Sequence, residues 1–401
     1  MPVSVPSFGL PASVWFIIAC YGAIMLAGAL TMPFPTRVDE LPHLSVIRAQ
    51  FEHPTLFPDW SQYHVLREDD LTRWSSNANY INHPSLYYLL LAPLMLVTGD
   101  PLLFRIANVL IATIALLIGV VAVHRRFGCD NLSPALFALI AASFPKAMIV
   151  GGMINNDNLS ALAAAALFGG LLGLPGAGWW VLAGLAIAGW TKLTAFLALA
   201  AVSGLWLAWQ WTRGRMGWTD RLVAFAIIGL LIGAIPYLVT LARTGHVLWV
   251  NDMIWRVPSA ARETLDLPAF TIRFFRTMIW KWPAMEGIYP LSLAFAGLLA
   301  PLLPMAVAVR YEAVRHFVIA YAGATIFLLA VHFVFGWRSY QQMGDLTIMQ
   351  ARYYNILWPG IALAAAFVID RWRRRWPLLA WIAVGLCLLP TWLGGMIYML
   401  I

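Results

Sequence analysis

The side chains best suited to chemistry in this 401-residue chain are a sparse set of acids, bases and amides set between long apolar runs. Asp39 and Glu40 come first, just past an apolar run over residues 14–32, with His43 close behind. Two adjacent carboxylates at the edge of an apolar run are costly unless they are solvated or used. Either one could act as a general base at the mouth of a cavity, its pKa set by burial and by its neighbour. Asp39 and His43 are four residues apart and share a face if the segment is helical, a spacing that also suits two metal ligands. The same acids also suit a solvated helix cap.

Basic groups of matching interest lie far along the chain. Lys192 stands alone between two apolar segments, where a cation could hold a phosphate or could reach out to the interface. Arg352 and Tyr353 open the apolar run 353–369, and a helix N-terminus there would add backbone N–H groups to a guanidinium that binds phosphate through two bonds. Arg338 is expected across the same loop, with a charged helix flank as the alternative. Asn155 and Asp157 lie in a turn between apolar runs and add an acid and an amide. His83 closes a polar stretch, Asn77 to Pro84, whose side chains could hydrogen-bond sugar hydroxyls or simply shape a loop. There is no G-x-x-x-x-G-K-[ST] loop, no H-E-x-x-H and no G-x-S-x-G, so nucleotide-driven transport and the common hydrolase sites are not indicated. Cys20, Cys129 and Cys387 are scattered and suggest neither a disulfide framework nor a zinc site.

The elements that must position these groups are membrane helices. The chain is 61% hydrophobic and 11% charged, against about 45–50% and 25% for soluble domains. Its mean hydropathy is +0.76. The net charge of +8 reads as basic cytoplasmic loops and affinity for anionic lipid rather than for nucleic acid. Apolar segments at 14–32, 102–123, 133–150, 158–174, 178–191, 193–211, 222–242, 288–309, 316–335, 353–369 and 377–399 give about eleven transmembrane helices in one all-α polytopic unit, 1–401. The segment 85–98 is too short to span and is expected to be re-entrant or interfacial. That choice puts eleven basic residues, in the groups 124–126, 213–221, 310–315 and 371–375, in short cytoplasmic loops, as the positive-inside rule requires. The chain then starts inside and ends outside.

The long first outer loop, 33–101, holds seven of the eighteen acids between Arg37 and Arg73. Its Trp, Tyr and Leu content predicts a packed loop with short interfacial helices. A second outer loop, 243–287, is basic and aromatic and predicts a surface against the outer leaflet.

In this order and spacing the pieces resemble the GT-C superfamily of integral-membrane glycosyltransferases, in particular the protein O-mannosyltransferase-like and aminoarabinose-transferase-like members. The resemblance rests on Asp39-Glu40 with His43 after the first helix, His83-Pro84 and Tyr87-Tyr88 closing the first loop, and Asn155 and Asp157 after the third span. It continues with Lys192 and Thr194 in mid-chain and Arg352-Tyr353 with Pro359 near the end. It covers most of the chain but not the central basic loop. It implies inverting transfer from a polyprenyl-phosphate-sugar donor to a glycan, glycolipid or protein acceptor of the cell envelope, at the outer face of a bacterial inner membrane. Asp39 would be the general base, and Glu40 would support it or bind the sugar. Lys192 and Arg352 would hold the donor phosphate, and His43, His83, Asn155 and Asp157 would shape the sugar or acceptor site. Asp157 is a single acid rather than the Asp-x-Asp of metal-using oligosaccharyltransferases, so no metal or other cofactor is expected. A carrier or flippase for a lipid-linked sugar, and a non-catalytic subunit of an envelope-glycan assembly, are the alternatives.

Overall fold

The structure, a computed structural model, describes residues 9–36, 39–143, 150–217, 219–249, 265–279, 303–344 and 351–385. Helix α1 (Ala12–Thr31) ends where Pro33 can no longer donate a backbone N–H. The first loop then folds as α2 (Glu40–Glu52), a two-stranded antiparallel ribbon of β1 (His64–Leu66) and β2 (Trp74–Ala78), and α3 (Leu86–Leu91) running into a 3-10 turn at Ala92–Leu96. The helix pair at 86–96 is far too short to cross a bilayer, as expected from its length. The ribbon was not anticipated: its strands are only three and five residues long, below any useful alternation signal. The ribbon is tied to α2 by the Leu66 N–H donating to Ser45 Oγ at 2.9 Å and by Arg48 donating to the Leu71 carbonyl at 2.8 Å. Leu44, Ile47, Trp60, Leu66, Tyr87 and Tyr88 pack beneath it as a small core.

The bundle continues with α4 (Pro101–Asn131), α5 (Pro134–Ala142), α6 (Asp157–Leu171), α7 (Ala177–Gly189), α8 (Leu193–Thr212), α9 (Arg221–Thr244), α10 (Leu267–Ile279), α11 (Glu312–Met343) and α12 (Trp358–Arg375), the last entered by a 3-10 segment at Ala351–Leu357. Among the described residues, six helices are long and apolar enough to cross a membrane. Trp15, Phe16 and Leu30 on α1, Leu231 and Leu238 on α9, and Ile326 and Val334 on α11 all face outward. An apolar exterior of that extent suits lipid and not water. Together with the run of spanning helices it makes this an integral membrane protein.

The runs 158–174 and 178–191 become helices of 15 and 13 residues, shorter than the six that are long enough to span by length alone, so the expected number of eleven spans is not confirmed. Helix α11 continues to Met343 before Gly344 ends it in the left-handed region, so it runs past the expected apolar run 316–335. The runs 288–309 and 377–399 lie largely outside the described residues, as do 250–264 and 280–287 of the basic loop. Within the described part of that loop, α10 lays Phe270 and Phe274 against Phe333, Trp337 and Tyr340 of α11.

Small residues let the inner helices approach closely. A Cβ on Gly189 of α7 would lie 2.2 Å from the Gly233 carbonyl oxygen of α9. Helix α12 carries Ala362, Ala364, Ala365 and Ala366, all buried. The helices share a polarity of charge. Arg105, Lys192 and Arg352 stand at one end of α4, α8 and α12, and Arg125, Arg213 and Arg373 at the other, about 30 Å away. Phe127 and Tyr311 both pack on Phe367, which places the arginine-bearing ends of α4, α11 and α12 together.

Candidate active site

Asp39 occupies the N-cap position of α2 with φ 63°, the one left-handed non-glycine residue among those described. Aspartate tolerates that conformation better than most side chains, and such backbone is found where neighbours hold it in place. The neighbours are visible. Tyr80 donates its hydroxyl to Asp39 Oδ1 at 2.5 Å, and Arg352 donates Nη2–H to Oδ2 at 2.5 Å. Burial pushes the Asp39 carboxyl up, but Arg352 and the Tyr80 hydroxyl outweigh it and hold the pKa at about 2.

A second ion pair sits beside the first. Asp157 is the first residue of α6, and its backbone N–H donates to Asn155 Oδ1 at 2.9 Å. Lys192 lies in the extended break between α7 and α8, where the Asn156 side-chain amide donates to the Thr191 carbonyl at 3.2 Å. Lys192 Nζ reaches Asp157 Oδ1 at 2.6 Å and stands 4.6 Å from the centre of the Tyr353 ring. Arg352 Nε lies 3.7 Å from Asp157 Oδ2, which joins the two pairs into one cluster of two acids and two bases. Burial pulls the Lys192 pKa down and its partner Asp157 only partly restores it, with Arg352 opposing.

The cluster is closed on itself but not saturated. Among the described residues, Arg352 Nε and Nη1, Asp157 Oδ2, Asn155 Nδ2 and Asn156 Oδ1 are buried with no hydrogen-bond partner. Leaving buried polar atoms unpaired is expensive, and three of these five are donors. An anion with several acceptor oxygens is the group that would satisfy the three donors. A cavity of about 40 Å³ adjoins Asp157, lined by Asn158, Asn355, Tyr21 and Trp358 among others. A larger one of about 230 Å³ lies between the first loop and the end of α9, lined by Asp59, Trp60, Asn82, Tyr237, Arg243 and Trp249. It does not include the charged cluster.

His43 is buried on α2, shares a hydrogen bond of 3.0 Å with the Tyr88 hydroxyl and stacks on His83 at 6.3 Å between ring centres. Burial drives the His43 pKa down to about 3, and Asp39 does not offset it. Burial and the Lys192 charge push His83 well below its ordinary value as well. Both rings are neutral at pH 7 and offer one donor and one acceptor each. The structure thus brings together Asp39, Asp157, Lys192, Arg352, Tyr353, Asn155, His43 and His83 from widely separated parts of the chain.

Two candidates named from the sequence stand elsewhere. Glu40 points away from the cluster and is fully buried. It accepts from Arg105 at 2.9 and 2.7 Å, from the Thr36 N–H at 3.0 Å and from the Ile154 N–H at 3.0 Å, so it has no oxygen free for a sugar or an acceptor. Arg338 is exposed on the extended end of α11 and makes no ion pair with Asp39 or Asp157 among the described residues. Sequence reasoning did not single out Arg105 or Tyr80. Arg105 carries a usable signal: it is the one charge within the apolar run 102–123, and an ionised group inside such a run almost always has a partner.

No family model matches this chain, and no curated protein matches it. Solved structures do. The crystal structure of ArnT from Cupriavidus metallidurans bound to undecaprenyl phosphate superposes with a TM-score of 0.56 at 17% identity, covering 97% of this chain and 63% of that one. The apo structure of the same protein gives 0.54 at 17% identity, covering 89% and 59%. The chain therefore spans about 60% of the length of the structures it matches and shares their polytopic membrane fold.

Proposed function

We propose that this chain is an inverting glycosyltransferase that moves a sugar from a polyprenyl-phosphate-sugar donor to a cell-envelope glycan, glycolipid or protein acceptor, at the outer face of a bacterial inner membrane. The observation that carries the reading is the cluster Asp39–Arg352–Asp157–Lys192, whose guanidinium keeps two buried nitrogens without hydrogen-bond partners among the described residues. Undecaprenyl phosphate bound to the ArnT structure supports a polyprenyl lipid as the partner.

In this scheme the donor phosphate accepts from Arg352 and Lys192, and the prenyl chain lies along the apolar helices. Taking Arg352 away from Asp39 releases a carboxylate whose pKa was held at about 2 and makes it basic enough to accept the proton of the acceptor hydroxyl. The acceptor oxygen forms its bond to the anomeric carbon as the carbon–phosphate oxygen bond breaks on the opposite face. Lys192 and Arg352 stabilise the charge that the departing polyprenyl phosphate gains. His43, His83 and Asn155 hydrogen-bond the sugar or acceptor as neutral groups. The scheme uses no metal.

A carrier would need polar groups along the whole path. Here the site cations and the arginines at the far end are separated by about 30 Å of apolar helix, which favours the enzyme. The test is transfer by purified protein from a panel of polyprenyl-phosphate sugars, wild type beside Asp39→Asn. Product from wild type alone supports the proposal. Equal product from both removes Asp39 from its role.

A further inference from the structure

Arg105 has every side-chain donor engaged. Its Nε and Nη2 fork onto the two oxygens of Glu40 at 2.9 and 2.7 Å. Its Nη1 donates to the Ala29 and Met32 carbonyls at 3.0 and 2.7 Å, and Nη2 donates to the Pro33 carbonyl at 3.0 Å. All five guanidinium N–H groups are used. The carbonyls belong to the last turn of α1 and the residues after it, which have no partners within the helix and carry the negative end of its dipole.

Glu40 extends the connection in two directions. One oxygen accepts the Thr36 N–H, which lies just before Asp39, and the other accepts the Ile154 N–H, just before the Asn155–Asp157 turn. The pair is 4% and 0% exposed, so neither water nor substrate reaches it. One ion pair therefore fixes the end of α1, the left-handed backbone at Asp39 and the turn that starts α6. Asp39 and Asp157 are far apart in sequence, and the segments carrying them meet at this carboxylate.

We propose that Arg105, acting through Glu40, is a positioning residue that sets the spacing between Asp39 and Asp157. The inference rests on the glycosyl-transfer reading for its effect on rate, but its structural half stands by itself. Neither residue touches substrate. Arg105→Lys keeps the charge but loses the fork, because one ammonium cannot bridge both carboxylate oxygens and three carbonyls.

The test uses the full-length protein in lipid nanodiscs. Arg105→Lys is expected to lower kcat at least tenfold while the donor KM stays within threefold and the folded fraction is unchanged. Glu40→Gln is expected to do the same, and should Arg105→Lys lose its fold, it carries the test alone. The double variant is expected to lose no more than the worse single variant, since both break one device. Hydrogen exchange supplies a readout independent of activity: peptides containing Thr36 and Ile154 should exchange faster in Arg105→Lys, with the arginine-rich end of the bundle unchanged. Full kcat in both variants, additive losses in the double variant, or unchanged exchange at Thr36 and Ile154 would overturn the proposal. Wild-type inactivity with every donor, alongside faster local exchange in the variant, would overturn the transfer reading and still support the Arg105 link.

Discussion

Replacing Asp39 by asparagine should make the protein bind polyprenyl phosphate more tightly while it stops turning over. Asp39 takes one of the nitrogens of Arg352. A phosphate that binds Arg352 must displace that carboxylate. Against the upward push of burial, the Arg352 ion pair and the Tyr80 hydrogen bond bring the Asp39 pKa from 3.8 to about 2, which corresponds to roughly 2 kcal/mol in favour of the charged, paired form. The asparagine oxygen can still accept from Tyr80, which turns the amide NH2 toward Arg352; the guanidinium then loses its acceptor, and most of that energy no longer opposes the ligand. The gain expected is on the order of tenfold in Kd. The rate should fall by about 10²–10⁴, the usual worth of a general base. The assay is titration of sugar-free polyprenyl phosphate into wild type and Asp39→Asn at pH 7, which separates binding from turnover. Weaker or unchanged binding by Asp39→Asn would refute the exchange, since it would mean that Asp39 steadies Arg352 for the ligand instead of competing for it. The ion pair also stabilises the fold, with a definite sign: a depressed carboxylate pKa contributes stability above about pH 4 that is lost as pH falls toward 2.

Lys192→Met should weaken polyprenyl phosphate binding at least tenfold and leave buried Asp157 without its 2.6 Å partner, lowering stability by about 3 kcal/mol in a thermal melt. His43 and His83 are neutral when folded, so the unfolded chain binds more protons below pH 6.5; stability should decline as pH falls from 7 to 5, by up to about 1.4 kcal/mol per pH unit for each ring, and His43→Gln should flatten that slope. Gly189→Ala would drive a methyl to within 2.2 Å of the Gly233 carbonyl and should lower Tm by an amount matching about 1–3 kcal/mol, whereas Gly204→Ala, with open space around it, should not.

What could be read from the sequence was the part written in residue type. Isolated charges within an apolar chain are few, and the cost of burying them makes each one informative. That is why Asp39, Asp157, Lys192 and Arg352 stood out singly, and why their order along the chain pointed to the right fold. Their pairing was not legible, because the distance from Asp39 to Arg352 in space is set by packing and not by spacing. Glu40 shows the limit most clearly. As a neighbour of Asp39 it reads as a second site acid, yet adjacent residues at the start of a helix point in different directions, and α2 turns Glu40 toward Arg105. Arg338 lies away from the charged cluster for another reason: nothing in Trp337-Arg338-Ser339 stops a helix, and α11 runs on to Gly344. The β1–β2 ribbon is too short to show alternation, and it is held by Ser45 and Arg48 of α2, contacts that only the folded loop brings together.

The central claim is that one cluster binds phosphate with Lys192 and Arg352 and takes a proton with Asp39. The most direct measurement is transfer of labelled sugar from a panel of polyprenyl-phosphate sugars to an envelope-lipid acceptor, by wild type, Asp39→Asn and Arg352→Lys side by side. The account predicts product from wild type with at least one donor, none from Asp39→Asn despite retained binding of polyprenyl phosphate, and a donor KM raised at least tenfold in Arg352→Lys. Polyprenyl-phosphate sugar moved across a liposome bilayer by wild type and by Asp39→Asn alike, with no glycosidic product from either, would contradict it.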